Sequence, residues 1–273
     1  MANGSVGFHS PQIRAARLLH QKKHRTLKRC FLIEGPTLIE AALEAGAHLE
    51  AVFVVPERHP AVDAAASRAR ETGVPVHPVE PRSIDALAQT KTPQGIVAVA
   101  RFFDRPLSAL AELLPEKGPV LVLALHDLDD PGNAGTMVRS AEAFGAAAAC
   151  FGPHSVEPYN DKVVRAAMGS LFRLPIFRYE RWEEMLRASA QSGLCLVAAQ
   201  AGAPDVRSIT PGPRIALVVG NERRGLEGIP PDDIAQRVGI PQSPQVESLN
   251  AAIAGSILLY ELARSSGLLK AKK

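Results

Sequence analysis

Short apolar runs rich in β-branched residues alternate along the chain with longer stretches whose apolar positions recur every three or four residues. The first pattern belongs to covered strands, the second to helices that bury one face. Residues 30–33, 51–55, 74–79 and 95–100 predict strands separated by Ala- and Leu-rich helices, so residues 1–103 read as one α/β domain. Residues 104–118 place Pro106, Pro115 and Gly118 around a single short apolar helix and predict a linker. A fresh run at 120–125 opens a second domain, 119–273, with further strands near 147–151, 174–177, 194–199, 215–219 and 237–240. Strands alternating with helices predict a largely parallel sheet covered on both faces. After the 120–125 strand, Ala134, Met137, Val138, Ala141 and Phe144 share one helix face, and Gly145 is placed to stop that helix. In the last helix Leu249, Ile253, Ile257 and Tyr260 predict the buried stripe.

Length and composition agree with two domains: 273 residues at 46% hydrophobic content can bury two ordinary cores. Cys30, Cys150 and Cys195 are odd in number and far apart, which excludes a disulfide framework and a CxxC metal site and predicts reduced thiols in a cytoplasmic protein. No apolar run reaches the roughly 20 residues that span a bilayer, and no signal-type apolar core stands at the N-terminus, so no membrane partner is expected. The net charge of +3 is unevenly spread. No acidic residue precedes Glu34, whereas Arg14, Arg17, Lys22, Lys23, Arg25, Lys28 and Arg29 crowd that stretch with His20 and His24. Such cations form either a solvated helix face or a phosphate-attracting arm of the kind nucleic-acid proteins carry.

Three separated blocks carry the candidate chemistry. They are Asp130-Pro131-Gly132-Asn133-Ala134-Gly135-Thr136-Met137-Val138-Arg139, then Val219-Gly220-Asn221-Glu222-Arg223-Arg224-Gly225-Leu226, then Ile240-Pro241-Gln242 running on to Glu247-Ser248-Leu249-Asn250. Gly220 ends a strand and reads either as a simple turn or as a point where bare backbone meets a ligand. Ser248 reads as the N-cap of the last helix. Arg139 is a solvated charge or a fork of donors for an RNA phosphate. Asp127, Asp129 and Asp130 lack the calcium-loop pattern and any His partner, so they predict a loop before Pro131-Gly132 and no metal site. Neither G-x-G-x-x-G, a Walker phosphate loop, a GxSxG elbow nor HExxH occurs, which excludes the usual nucleotide cradles, serine hydrolases and zinc proteases.

In order and identity these blocks, with Arg165-Ala166-Ala167-Met168-Gly169-Ser170 between them, resemble the SpoU (TrmH-type) RNA 2′-O-ribose methyltransferases of the SPOUT superfamily. The resemblance implies an α/β fold in which a SPOUT-type trefoil-knotted methyltransferase domain follows a small α/β RNA-binding domain like that of some ribosomal proteins. Phe31-Leu32-Ile33-Glu34-Gly35 and Thr90-Lys91-Thr92-Pro93-Gln94-Gly95-Ile96 are the cues to the smaller domain. S-adenosyl-L-methionine is the implied cofactor, held mainly by backbone and apolar contacts of Gly220, Ile240 and Leu249, with Val219, Asn221, Pro241 and Gln242 as neighbours.

The implied catalytic set is Asn133, Arg139, Glu222, Ser248 and Asn250. Asn133 would orient the arginine or the ribose, Glu222 would fix the network, and Ser248 and Asn250 would face the pocket, Ser248 also capping the helix. In the family the arginine is linked to deprotonation of the 2′-hydroxyl. Guanidinium is a poor base, so phosphate clamping and transition-state electrostatics are the roles expected of Arg139. RNA contacts are expected from Lys22, Lys23, Arg25, Arg139 and Arg165. The implied partners are structured RNA, 23S rRNA ahead of tRNA, and a second copy in a homodimer, with no DNA. A likeness to thiostrepton-resistance methyltransferases, which share the two-domain plan, stays open. A relative that binds RNA without transferring methyl groups is the rival, opposed by the presence of the whole catalytic set. Arg223 and Arg224 depart from the small residues usual after Glu222 and read as phosphate contacts or as solvent-facing charges.

Overall fold

The computed structural model describes residues 6–246 and 248–269, so Glu247 of the third block lies outside the described residues. The chain divides into two compact units, the first ending at Phe103 but joined by Tyr159–Val164, the second starting at Asp104. The first runs α1 (Pro11–Leu18), α2 (Lys22–Lys28), β1 (Cys30–Glu34), α3 (Pro36–Glu44), β2 (Leu49–Val54), α4 (Pro60–Glu71), β3 (Val76–Pro78), α5 (Pro81–Leu87) and β4 (Ile96–Arg101). Proline opens α1, α3, α4 and α5, where its missing N–H leaves no helical bond unmade. The strands pair in the order β1-β4-β2-β3, β4 antiparallel to both neighbours and β3 parallel to β2. Tyr159 packs its ring against Phe31, Phe102 and Phe103 and accepts a 2.8 Å hydrogen bond from the Phe103 amide, which is why its segment belongs here.

Arg25 corrects the expected RNA-binding set. It is buried, and its guanidinium donates to the carbonyls of Leu19 (3.0 Å) and His20 (2.8 Å). A helix leaves its last carbonyls without intrahelical partners. Arg25 therefore ties down the end of α1, and its charge is used inside the unit. Lys22, Lys23 and Lys28 remain exposed on α2.

The second unit continues with β5 (Arg105–Pro106), α6 (Leu110–Leu113), β6 (Val120–Leu125), α7 (Pro131–Ala143), β7 (Ala148–Phe151), α8 (Asp161–Ala166, begun in the first unit), α9 (Ser170–Arg173), β8 (Ile176–Arg178), α10 (Trp182–Ser192), β9 (Cys195–Ala199), β10 (Arg214–Val219), β11 (Gln236–Val238) and α11 (Ala251–Ser265). Its sheet has the order β11-β9-β10-β6-β7-β8-β5 with every pairing parallel. Central β6 is buried along its whole length, as a strand covered on both faces should be. The 104–118 segment is not a free linker: β5 pairs with β8, and Leu107, Leu110 and Leu114 are buried in this unit's core. Its prolines and glycine mark turns inside the domain, while its leucines, three and four apart, make one packed face.

The last helix also differs from its predicted stripe. Ala252, Gly255, Leu258, Leu259, Leu262 and Ala263 are buried, whereas Ile253 (53% exposed), Ile257 (37%) and Tyr260 (44%) face outward. Both rows are apolar, so spacing alone could not choose between them. Packing against α7 chose the slimmer row: a Cβ on Gly255 would stand 2.5 Å from the sulfur of Met137.

Candidate active site

The carboxyl ends of four strands finish level with one another, with Leu125 opposite Val219, Val218 opposite Ala198 and Ala199 opposite Val238. The segments that follow them emerge on one edge, where parallel α/β sheets form their ligand crevices. A cavity of about 820 Å³ opens there, lined by Gln200, Val219, Gly220, Leu226, Gly239, Ile240, Gln242, Ser248, Leu249 and the α11 residues Ala254 and Leu258, among others. Cofactor sites typically span about 300–1,000 Å³. A second, more polar cavity of about 680 Å³ is lined by Asp129, Asp130, Pro131 and Asn133 as well as Asn221, Glu222, Arg223, Arg224 and Asn250. The last five also line the first cavity, so they form a shared wall.

Asn221 builds that wall and is fully occupied in doing so. Its side-chain amide donates to the Asp127 carbonyl (2.8 Å) and to Asp129 Oδ2 (3.0 Å), and its oxygen accepts from the amides of Arg223 (2.9 Å) and Arg224 (3.0 Å). Its backbone exchanges both hydrogen bonds with Gly225. Asn221 thus laces the loop after β10 to the loop after β6 and keeps no side-chain donor for a cofactor. Gly220 has a related role. A Cβ there would meet the Gly225 carbonyl oxygen at 2.0 Å, so glycine is required for the loop to close on itself as well as for its place in the cavity lining.

The polar groups at the wall form a directed chain. Asn250, not Ser248, caps α11: its Oδ1 accepts from the amides of Ala252 and Ile253. The helix begins at Ala251, which leaves Ser248 too far upstream to cap it, exposed along the cavity. With its oxygen taken, Asn250 turns Nδ2 to Asn133 Oδ1 (3.0 Å), and Asn133 in turn donates from Nδ2 to Glu222 Oε1 (3.0 Å). Glu222 also accepts from the amides of Asp129 and Asp130 at the start of α7. Asp130 caps that helix by accepting from the Asn133 amide (2.7 Å), and Asp127 holds Arg224 in an ion pair of 2.6 Å. The three aspartates are thereby committed to structure.

Other expected residues lie elsewhere. Pro241 is exposed and lines neither cavity. Arg139 is exposed on α7, and six residues at about 100° each put it roughly 120° around the helix and about 9 Å along it from Asn133. It lines neither cavity, and nor does half-buried Arg165. The blocks gave no notice of Gln200, Gly239 or Leu258, and Leu226, which closes the second block, was not singled out. Only Gly239 had a readable signal, as a glycine beside Ile240: a Cβ there would stand 2.6 Å from the Ala203 carbonyl oxygen.

Residues 120–260 match the SpoU rRNA Methylase family, and residues 10–98 match the MRM3-like substrate binding domain. The chain belongs to the SpoU rRNA methylase family. It is 33% identical to the 23S rRNA (guanosine(2553)-2′-O)-methyltransferase RlmP of Bacillus subtilis (strain 168), over 89% of this chain and 92% of that one. The SpoU fold is likewise similar to the AdoMet-bound rRNA methyltransferase from Sinorhizobium meliloti (TM-score 0.83, 30% identity, 96% of each chain). It is also similar to the SpoU methyltransferase AviRb from Streptomyces viridochromogenes in complex with AdoMet (TM-score 0.82, 26% identity, 94% of this chain and 98% of that one). As a SpoU member the protein is an RNA methyltransferase that uses S-adenosylmethionine. The first cavity fits such a cofactor: Ile240, Leu249 and Leu258 supply apolar wall, and Gln242 Oε1 is buried without a hydrogen-bond partner among the described residues. The cofactor supplies an electrophilic methyl group on a sulfonium.

Proposed function

We propose that this enzyme methylates the 2′-hydroxyl of a ribose in 23S rRNA, with the cofactor in the larger cavity and the target nucleotide in the polar one. The observation that carries the reading is the Asn250–Asn133–Glu222 chain in the wall between the two. Gly220, Val219, Ile240, Leu249 and Gln242 hold the cofactor. Asn133 Oδ1 accepts the hydrogen bond of the 2′-hydroxyl, which turns an oxygen lone pair towards the methyl group. Glu222 bonded to the other end of that amide polarises it and strengthens Oδ1 as an acceptor. An amide takes up no proton at neutral pH, so the proton leaves to water through the open polar cavity. Ser248, exposed along the larger cavity, stands on the cofactor's side of the wall.

The same reading gives the N-terminal unit, residues 1–103, the task of engaging structured RNA, through Lys22 and Lys23 among others. It carries a trefoil-knotted path for the C-terminal segment, and a cytoplasmic homodimer. The outward row Ile253, Ile257 and Tyr260 supports the dimer, because an apolar row on a polar surface marks a contact face. Arg139 lies on α7, which packs beside α11, and in this reading each copy lends its Arg139 to the other's polar cavity.

Purified protein, methyl-labelled S-adenosylmethionine and unmodified 23S rRNA and tRNA transcripts test this directly. Label on one ribose 2′-oxygen of the 23S transcript is expected. Label on tRNA alone would move the substrate, and RNA binding without cofactor binding or label would mean an RNA-binding relative.

A further inference from the structure

The two arginines after Glu222 have different fates. Arg224 is taken: its guanidinium bonds Asp127 at 2.6 and 3.1 Å and lies 3.8 Å from Asp129. Arg223 has its backbone fixed by Asn221 Oδ1, but its side chain makes no ion pair or hydrogen bond among the described residues, and it is exposed on the wall that both cavities share. The charge balance of the polar cavity makes this matter. Asp129, Asp130 and Glu222 stand against Arg223 and Arg224, and Arg224 is already neutralised by Asp127. The lining is therefore net negative, and Arg223 is its one cationic side chain without an ion pair among the described residues, so a phosphate entering that cavity has Arg223 to receive it.

We propose that Arg223 is a substrate-binding residue that takes the phosphodiester on the 3′ side of the methylated ribose. The chemistry of RNA sets the side: the 2′-hydroxyl carbon adjoins the carbon that bears the 3′-phosphate, so an RNA presenting that hydroxyl at the shared wall brings the phosphate with it. A guanidinium donates two parallel N–H bonds to two phosphate oxygens, a geometry that lysine lacks. The division of labour is then clear. Arg224 positions the loop, and Arg223, held at its backbone but free at its side chain, reaches the substrate.

The inference rests on the RNA-methyltransferase reading. Steady-state methylation of unmodified 23S rRNA transcript, with calorimetric titration of S-adenosylmethionine, tests both separately. Arg223→Ala is expected to raise KM for RNA at least tenfold with little change in saturating kcat. It should also reduce the slope of log affinity against log salt by about 0.7, the share of one phosphate contact on single-stranded RNA. Arg223→Lys should keep the salt slope and recover only part of the affinity, and cofactor affinity should be unchanged in both. An unaltered KM and salt slope in Arg223→Ala would overturn the inference, and weakened cofactor binding would assign the guanidinium to the cofactor carboxylate instead. If the wild-type enzyme fails to label the transcript, it is the underlying reading that falls.

Discussion

Arg139→Ala is expected to lower the single-turnover rate by on the order of a hundredfold at saturating RNA, with cofactor affinity preserved, the loss typical of removing one preorganised transition-state donor. Arg139→Lys keeps the charge without the fork and should fall between the two. The position of the residue adds a sharper consequence. Arg139 is exposed, lies about 120° around α7 from Asn133, and is not among the residues lining the polar cavity of its own chain. If each copy lends its arginine to the other, inactive Arg139→Ala and inactive Asn133→Ala proteins should complement when mixed. Half the dimers would then be mixed, each with one complete site, giving about a quarter of the wild-type rate. No recovery on mixing would return Arg139 to its own chain, and full activity of Arg139→Ala would make it a surface charge.

Gly220→Ala should be far more damaging than its single methyl group suggests. The added Cβ would overlap the Gly225 carbonyl oxygen, a backbone atom with no rotamer to yield. Relief requires opening the loop, which breaks the hydrogen bonds that Asn221 and Gly225 exchange at 2.8 and 2.9 Å. Losing two backbone bonds costs roughly 2–3 kcal/mol. Glu222 sits in the same loop, so its hold on Asn133 goes as well. A lower melting temperature and at least a tenfold weaker S-adenosylmethionine affinity are expected together. A variant that melts as the wild type does but binds cofactor poorly would mean that Gly220 acts only by close approach to the ligand.

Much of the second unit was legible because a buried parallel strand writes itself as an unbroken apolar run: the run at 120–125 coincides with β6. The three blocks were legible as a set, and the structure brings Asn133, Glu222 and Asn250 from distant positions into one hydrogen-bonded chain. What could not be read were choices between equals. α11 is apolar on two rows, and its packing on α7 and the sheet, with Gly255 against Met137, buries one of them. Arg25 looked like its cationic neighbours until the end of α1 supplied carbonyls for it. Asn221 looked like a cofactor-binding residue, yet its side-chain amide donates across to the loop after β6 while its oxygen braces its own loop, and the cross-loop partners lie about 90 residues away in sequence.

The central claim is that the wall shared by the two cavities methylates one ribose 2′-hydroxyl in 23S rRNA, and the most direct test is a map of 2′-O-methyl positions in ribosomal and transfer RNA from cells with and without the gene. One 2′-O-methyl signal in 23S rRNA should vanish on deletion, return with the wild-type gene, and stay absent with Asn133→Ala. An unchanged map in both RNA classes, or restoration by Asn133→Ala, would contradict the account.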